Sequence, residues 1–214
     1  MQIIAIIWLA LLIGITSASA QVTYSLKVSR HPSVSFSDQQ VDQILADASK
    51  MLQKDPHHAH ATNNVACNVT LQRVGPVQVL SANAPAVIKN QSDRDAVHRE
   101  NPDSDPNVIS VKIVKKIEFC RPQQGNSFVG CSWPHSFHSI IVVADQKFPK
   151  LVWPHEFGHH TGLWHRKGLN NALMSPCTLK ATNVQVTKSE CSCLLAGPGG
   201  CKTSEPKPPV TCSP

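Results

Sequence analysis

His155-Glu156-Phe157-Gly158-His159-His160-Thr161-Gly162-Leu163-Trp164-His165 sets His155, Glu156, His159, Gly162 and His165 at the offsets HExxHxxGxxH. Histidines four apart on a helix project from one face, so His155 and His159 can share one ion at about 2.0–2.1 Å. Glu156 flanks that face, where a carboxylate takes a proton from metal-bound water and does not occupy the metal itself. The helix must then stop for a third histidine to fold back. Gly162 tolerates the left-handed conformation of such a stop, which frees His165 to close the triad. His160 points about 100° away from His159, so it reads as a neighbour of the site or a surface residue, not a ligand.

Downstream, Asn171-Ala172-Leu173-Met174-Ser175-Pro176 places a methionine nine residues after His165. The full motif followed by such a methionine turn resembles the metzincin zinc metalloproteases. The resemblance implies one α+β catalytic domain over residues 21–196. It would hold a twisted mixed β-sheet, an N-terminal packing helix, an active-site zinc helix and a C-terminal helix, stapled by disulfides. It also implies one catalytic Zn2+ on His155, His159 and His165, with Met174 as an apolar floor beneath the metal. The implied activity is that of a secreted endopeptidase, hydrolysing peptide bonds by a zinc-bound water that Glu156 assists. Its substrate is a protein or peptide lying along an edge strand, and Phe128 to Trp133, with Gly130, Ser132 and Trp133, resembles that edge. Gly130 has a second reading, a turn beside a disulfide at Cys131.

Three residues depart from the common pattern. Pro154 precedes His155, so the helix either begins near Trp153 or is kinked. Arg166 follows the third histidine, where better-known members carry an acidic or small hydroxyl residue, and no subfamily is assigned. Tyr24 is the only tyrosine, which excludes a tyrosine metal ligand after the methionine turn.

Residues 1–20 carry an apolar run from Ile3 to Ile15 and then Ala18-Ser19-Ala20, which reads as a secretory signal peptide, with a retained signal anchor as the rival reading because no Lys or Arg stands near Met1. No later apolar stretch approaches the about 20 residues of a membrane span. The remaining about 190 residues fit one domain, with a monomer favoured. Only about sixteen residues lie between the cleavage point and the first helix, and none is a cysteine, so a cysteine-switch prodomain is not expected. All eight cysteines follow residue 20, and an even number in an exported chain suggests up to four disulfides among 105 connectivities. Cys191 and Cys193 are too close to prefer each other, so each should have its own partner. The net charge of +6 comes from scattered Lys and Arg, and no nucleic-acid motif accompanies it.

Along the chain, Val41, Ile44, Leu45, Ala48 and Leu52 predict an amphipathic helix over 37–54, capped by Ser37 or Asp38. Alternating stretches predict strands over 65–73 and 107–119, with one more within 77–89. Residues 91–106 are dense in Asp, Asn and Pro and read as loop with at most one helical turn. Ser139 to Ala144 is a continuous apolar run, expected as a central strand buried on both faces. Thr187-Lys188-Ser189-Glu190 is a capping box opening a helix to about Ala196. Residues 197–214, rich in Pro and Gly, read as an extended tail.

Other features compete for function. His57, His58 and His60 can bind a transition metal or form a solvated loop. Asp93, Asp95, Asp103 and Asp105 can offer oxygen ligands to calcium, but their spacing lacks the EF-hand register. Asn68-Val69-Thr70 and Asn90-Gln91-Ser92 are acceptor sequences for glycosylation. Two other function classes stay open: a catalytically idle metzincin-like secreted module that binds a protein in its groove, and a small disulfide-rich effector whose zinc is structural. The intact Glu156 argues against the first. The count of three histidines argues against the second, because closed structural sites have four ligands.

Overall fold

Val22, Tyr24, Leu26 and Val28 alternate with Thr23, Ser25, Lys27 and Ser29, the period of a strand with two unlike faces. The computed structural model describes residues 21–53, 66–105, 107–120, 128–132, 139–166, 171–175, 180–182 and 184–201, and it forms that first stretch into β1 (Val22–Arg30). This strand is not among those expected above, yet it pairs with three others. After it come α1 (Asp38–Gln53), β2 (Val69–Arg73), β3 (Gln78–Val79), β4 (Val87–Ile88), α2 (Gln91–Arg99), β5 (Val108–Val114) and β6 (Lys116–Ile117). The chain continues through β7 (Gly130–Cys131), β8 (Ser139–Val143), α3 (Pro149–His160) and α4 (Lys188–Ala196).

The main sheet runs β2-β1-β5-β8-β7, with β3 paired to the far end of β1. Its pairs are parallel except β7 with β8, which is antiparallel in the register Gly130 to Val142 and Cys131 to Ile141. The expected α+β mixed sheet with stapling disulfides is therefore present. Parallel strands need helical crossovers, and α1 supplies the one from β1 to β2. Its cap is reciprocal: Ser37 Oγ accepts from Gln40 N–H at 3.2 Å, and Gln40 Oε1 accepts from Ser37 N–H at 2.8 Å.

Alternation divides the core in two. Ile109, Val111 and Ile113 of β5 with Ile140 and Val142 of β8 face α1 and α3, joined by Leu45, Trp153 and Phe157. Val114, Ile141 and Val143 face the other way, towards Val97 of α2 and towards Ile88 and Ile117 of the small β4-β6 pair. Each fully buried aliphatic or aromatic side chain contributes about 1.5–3 kcal/mol. All five residues of β8 are buried, as its apolar run predicts.

The loop expected over 91–106 is instead nine helical residues followed by loop. Asn90 is the N-cap and accepts from Asp93 N–H at 3.0 Å, so an Asn that reads as loop composition is here a helix start. At the other end Lys112 reaches across from β5, fully buried, and donates to the carbonyls of Glu100 and Asn101 (the latter at 3.0 Å). A cation there suits the negative end of a helix, although burial lowers its pKa to about 8. The single extra strand expected over 77–89 is two short ones, β3 and β4.

Three disulfides lie among the described residues: Cys67–Cys191, Cys120–Cys131 and Cys193–Cys201. Cys191 and Cys193 take different partners, as their spacing requires. Cys177 and Cys212 lie outside the described residues, as do residues 1–20, expected as a signal peptide, and residues 202–214 of the expected tail. No helix among the described residues is long and apolar enough to cross a membrane.

Candidate metal centre

Helix α3 begins at Pro149, not near Trp153, and Pro154 lies inside it. Pro154 cannot donate to the carbonyl of Lys150, four residues back. Every residue from Leu151 to His160 is buried. An all-apolar stripe is therefore not what sets the direction of this helix; it is enclosed on all sides.

The helix ends in a Schellman turn. Leu163 N–H donates to Gly158 O and Gly162 N–H to His159 O, both at 2.9 Å, with Gly162 at φ +102°. A side chain on Gly162 would strain that conformation and would also run into the Cys201 carbonyl. The next two orphan carbonyls are capped by the chain after α4: Gly199 N–H donates to His160 O at 3.1 Å and Cys201 N–H to Thr161 O at 3.0 Å. The first five residues of the expected tail are thus docked on α3 and tied back by Cys193–Cys201.

This turn brings His165 to the helix face. His165 Nε2 lies 3.0 Å from His159 Nε2 and 3.3 Å from His155 Nε2. Three donors around a tetrahedral ion at about 2.0–2.1 Å are about 3.3 Å apart, so the separations fit one shared ion. The other ring nitrogens support this: His155 Nδ1 donates to Leu173 O and His159 Nδ1 to Leu163 O, both at 2.7 Å. Carbonyls at Nδ1 force the proton onto that nitrogen and turn the Nε2 lone pair inwards. Burial pushes the His155 imidazole down to about 4, against the opposing pull of the Leu173 carbonyl, so it is neutral and able to ligate at neutral pH. Among the described residues, these three histidines are the group that can hold a metal ion.

The remaining predicted residues take definite places. Glu156 is buried, and its carboxyl end lies against β7: a Cβ on Gly130 would sit 2.5 Å from its Cγ and Oε1. Met174 is buried, and its Sδ fills the space where a Cβ on Gly158 would fall, 2.5 Å away. A glycine inside a helix is usually there for such a packing reason, and this was the sequence signal for Gly158. His160 is buried, which corrects the surface alternative. Gly130 ends the sheet, beside the Cys120–Cys131 disulfide. Ser132 is buried rather than displayed, and Trp133 lies outside the described residues.

The acidic residues considered for calcium are each engaged separately. Asp93 accepts from Lys89 N–H at 2.9 Å, Asp95 pairs with Arg94 at 2.8 Å, Asp103 with Lys27 at 3.2 Å, and Asp105 accepts from Asn107 N–H at 2.8 Å. The structure assembles no three of them, because local charges and turn amides take their oxygens first. His57, His58 and His60 lie outside the described residues. Asn90 is exposed and Asn68 half-buried. No protein-family model matches the chain, and no curated protein matches it either.

Proposed function

We propose that the protein is a secreted zinc endopeptidase of metzincin type. The observation that carries this reading is the convergence of His155, His159 and His165 Nε2 at metal-ligand spacing, with Glu156 next along the same helix. Three protein ligands leave a coordination position open, the arrangement of catalytic and not structural zinc. A bound zinc ion supplies Lewis-acid polarisation of the scissile carbonyl and acidifies water.

The chain's own residues do the rest. Glu156 takes a proton from the attacking water as its oxygen bonds to the carbonyl carbon, then delivers that proton to the amine nitrogen as the C–N bond breaks. Burial of Glu156 limits competing water around that transfer. Strand β7 ends the sheet, and Val143 N–H donates to Val129 O at 3.0 Å. In an antiparallel ladder the next residue, Gly130, turns its N–H and C=O away from β8, the side on which Phe128 N–H already donates to Ile117 O at 3.0 Å, so an extended peptide would pair with this edge from Gly130 onward. The three disulfides support an oxidising compartment.

The test uses the full oxidised chain. It should bind one zinc and cleave members of a peptide library, chelation should abolish cleavage, and Glu156→Gln should lower kcat/KM by about 10²–10⁴ while keeping zinc. A chain that binds zinc and cleaves no peptide would make it a binding module and overturn the peptidase reading. Undiminished cleavage by Glu156→Gln would overturn the role of that carboxylate.

A further inference from the structure

His155 and His159 are placed by α3, but His165 is not. It follows the Schellman turn on a segment with no regular secondary structure, so its position needs another source. The next residue supplies one. Arg166 N–H donates to Met174 O at 2.8 Å, and Arg166 Nη2 donates to Gln185 O at 2.9 Å. Arg166 Nε lies 3.2 Å from Glu190 Oε1, a charge contact more than a directed hydrogen bond. Both side chains are mostly buried, at 18% and 11% exposure, where an ion pair is worth more than at the surface.

Each partner is itself anchored. Gln185 N–H donates to Asn171 O, and Gln185 O accepts from Leu173 N–H, both at 2.9 Å. Leu173 is the residue whose carbonyl orients His155. The second oxygen of Glu190 accepts from Thr187 N–H at 2.7 Å and closes the capping box of α4. That helix is stapled at Cys191 to Cys67 and at Cys193 to Cys201. Arg166 therefore joins the arm bearing the third histidine to two fixed parts of the molecule, the segment under the first histidine and the start of α4.

We propose that Arg166 is a positioning residue for the metal centre, holding His165 at ligand distance through its fork to Gln185 O and Glu190. The proposal rests on the triad's binding a metal, and it does not depend on peptidase activity.

Zinc dissociation constants, measured by competition with a chromophoric chelator, and the visible spectrum of the Co2+-loaded chain test it. Arg166→Ala should weaken zinc binding about 10–100-fold, the usual effect of losing support behind a ligand, and should alter the Co2+ bands. Arg166→Lys keeps the charge but not the planar fork, so it should weaken binding to an intermediate degree. Adding Glu190→Gln to Arg166→Ala should weaken binding no further, because the two act as one unit. If Arg166→Ala or Arg166→Lys lowers the urea midpoint while the zinc dissociation constant stays within threefold of wild type, Arg166 only buttresses the fold and the proposal is overturned. Should Arg166→Ala fail to fold, Arg166→Lys decides alone by the same criterion. A wild-type chain that binds zinc without cleaving peptides removes the peptidase reading and leaves this proposal standing. Wild-type zinc affinity in Arg166→Ala does the reverse.

Discussion

Replacing Gly130 with alanine tests whether the edge strand seats the carboxylate proposed to move protons. The new methyl carbon would lie 2.5 Å from Glu156 Cγ and Oε1 and 2.6 Å from Cδ, whereas non-bonded carbons rest at about 3.5–4.0 Å. Something must yield by about 1 Å. Strand β7 is pinned on one side by its ladder to β8 and at Cys131 by the disulfide to Cys120, so the Glu156 side chain is the part that moves. A displacement of about 1 Å at a reacting group costs about 100-fold in rate, which is about 2.7 kcal/mol at 1.36 kcal/mol per decade. Overpacking should also destabilise the fold by about 1–3 kcal/mol. The assay compares kcat/KM on a cleaved library peptide, zinc stoichiometry and the urea midpoint for wild type and variant. We expect zinc content unchanged and kcat/KM reduced about 100-fold. Activity within about threefold of wild type would refute the reasoning, and so would a loss of activity that tracks a loss of zinc.

Gly158→Ala would drive a methyl group to 2.5 Å from Met174 Sδ. It should cost about 1–3 kcal/mol, lowering Tm by about 2–4 °C per kcal/mol for a chain of this size; a thermal scan showing no shift would mean the methionine moves aside freely. Removing Cys67–Cys191, with a sequence separation of 124, should cost about 5 kcal/mol, and removing Cys193–Cys201, with a separation of 8, only about 2–3 kcal/mol. Urea unfolding of the two Cys→Ser pairs checks that order. His98, buried beside Ser139, has its pKa lowered by burial to about 4. The unfolded chain, with a histidine near 6.5, therefore binds the proton first. The stability due to neutral His98 is fully present above pH 6.5 and is lost as pH falls towards 4, by about 3 kcal/mol in all. Replacement of His98 by Gln should reduce the slope of the stability profile across that window, and an unchanged slope would refute the assignment.

Several elements could be read directly from the chain because their causes are local. The four-residue spacing of His155 and His159, the glycine stop at Gly162 and the Thr187–Glu190 capping box each depend on contacts within one or two turns, and all appear as the spacing predicts. The amphipathic face of α1 and the apolar run of β8 announce themselves for the same reason. The strand β1 was missed, although its alternation is as plain as those patterns. The helix α2 was not legible in this way, because Asn and Asp serve both as loop residues and as helix caps, and only the packing of Val97 and the reach of Lys112 to the carbonyls just past its end separate the two uses.

The sequence by itself determined the donor set, the helix that carries two of the donors and the turn that releases the third, since backbone sterics and side-chain periodicity act over a few residues. Tertiary structure alone decided what surrounds those donors. Glu156 meets Gly130 from 26 positions away, Arg166 meets Glu190 across 24, and the carbonyls of His160 and Thr161 are capped by Gly199 and Cys201. Such meetings depend on sheet register and on which cysteines find each other. Both are settled by burying the two cores on either face of the sheet, not by any pattern along the chain.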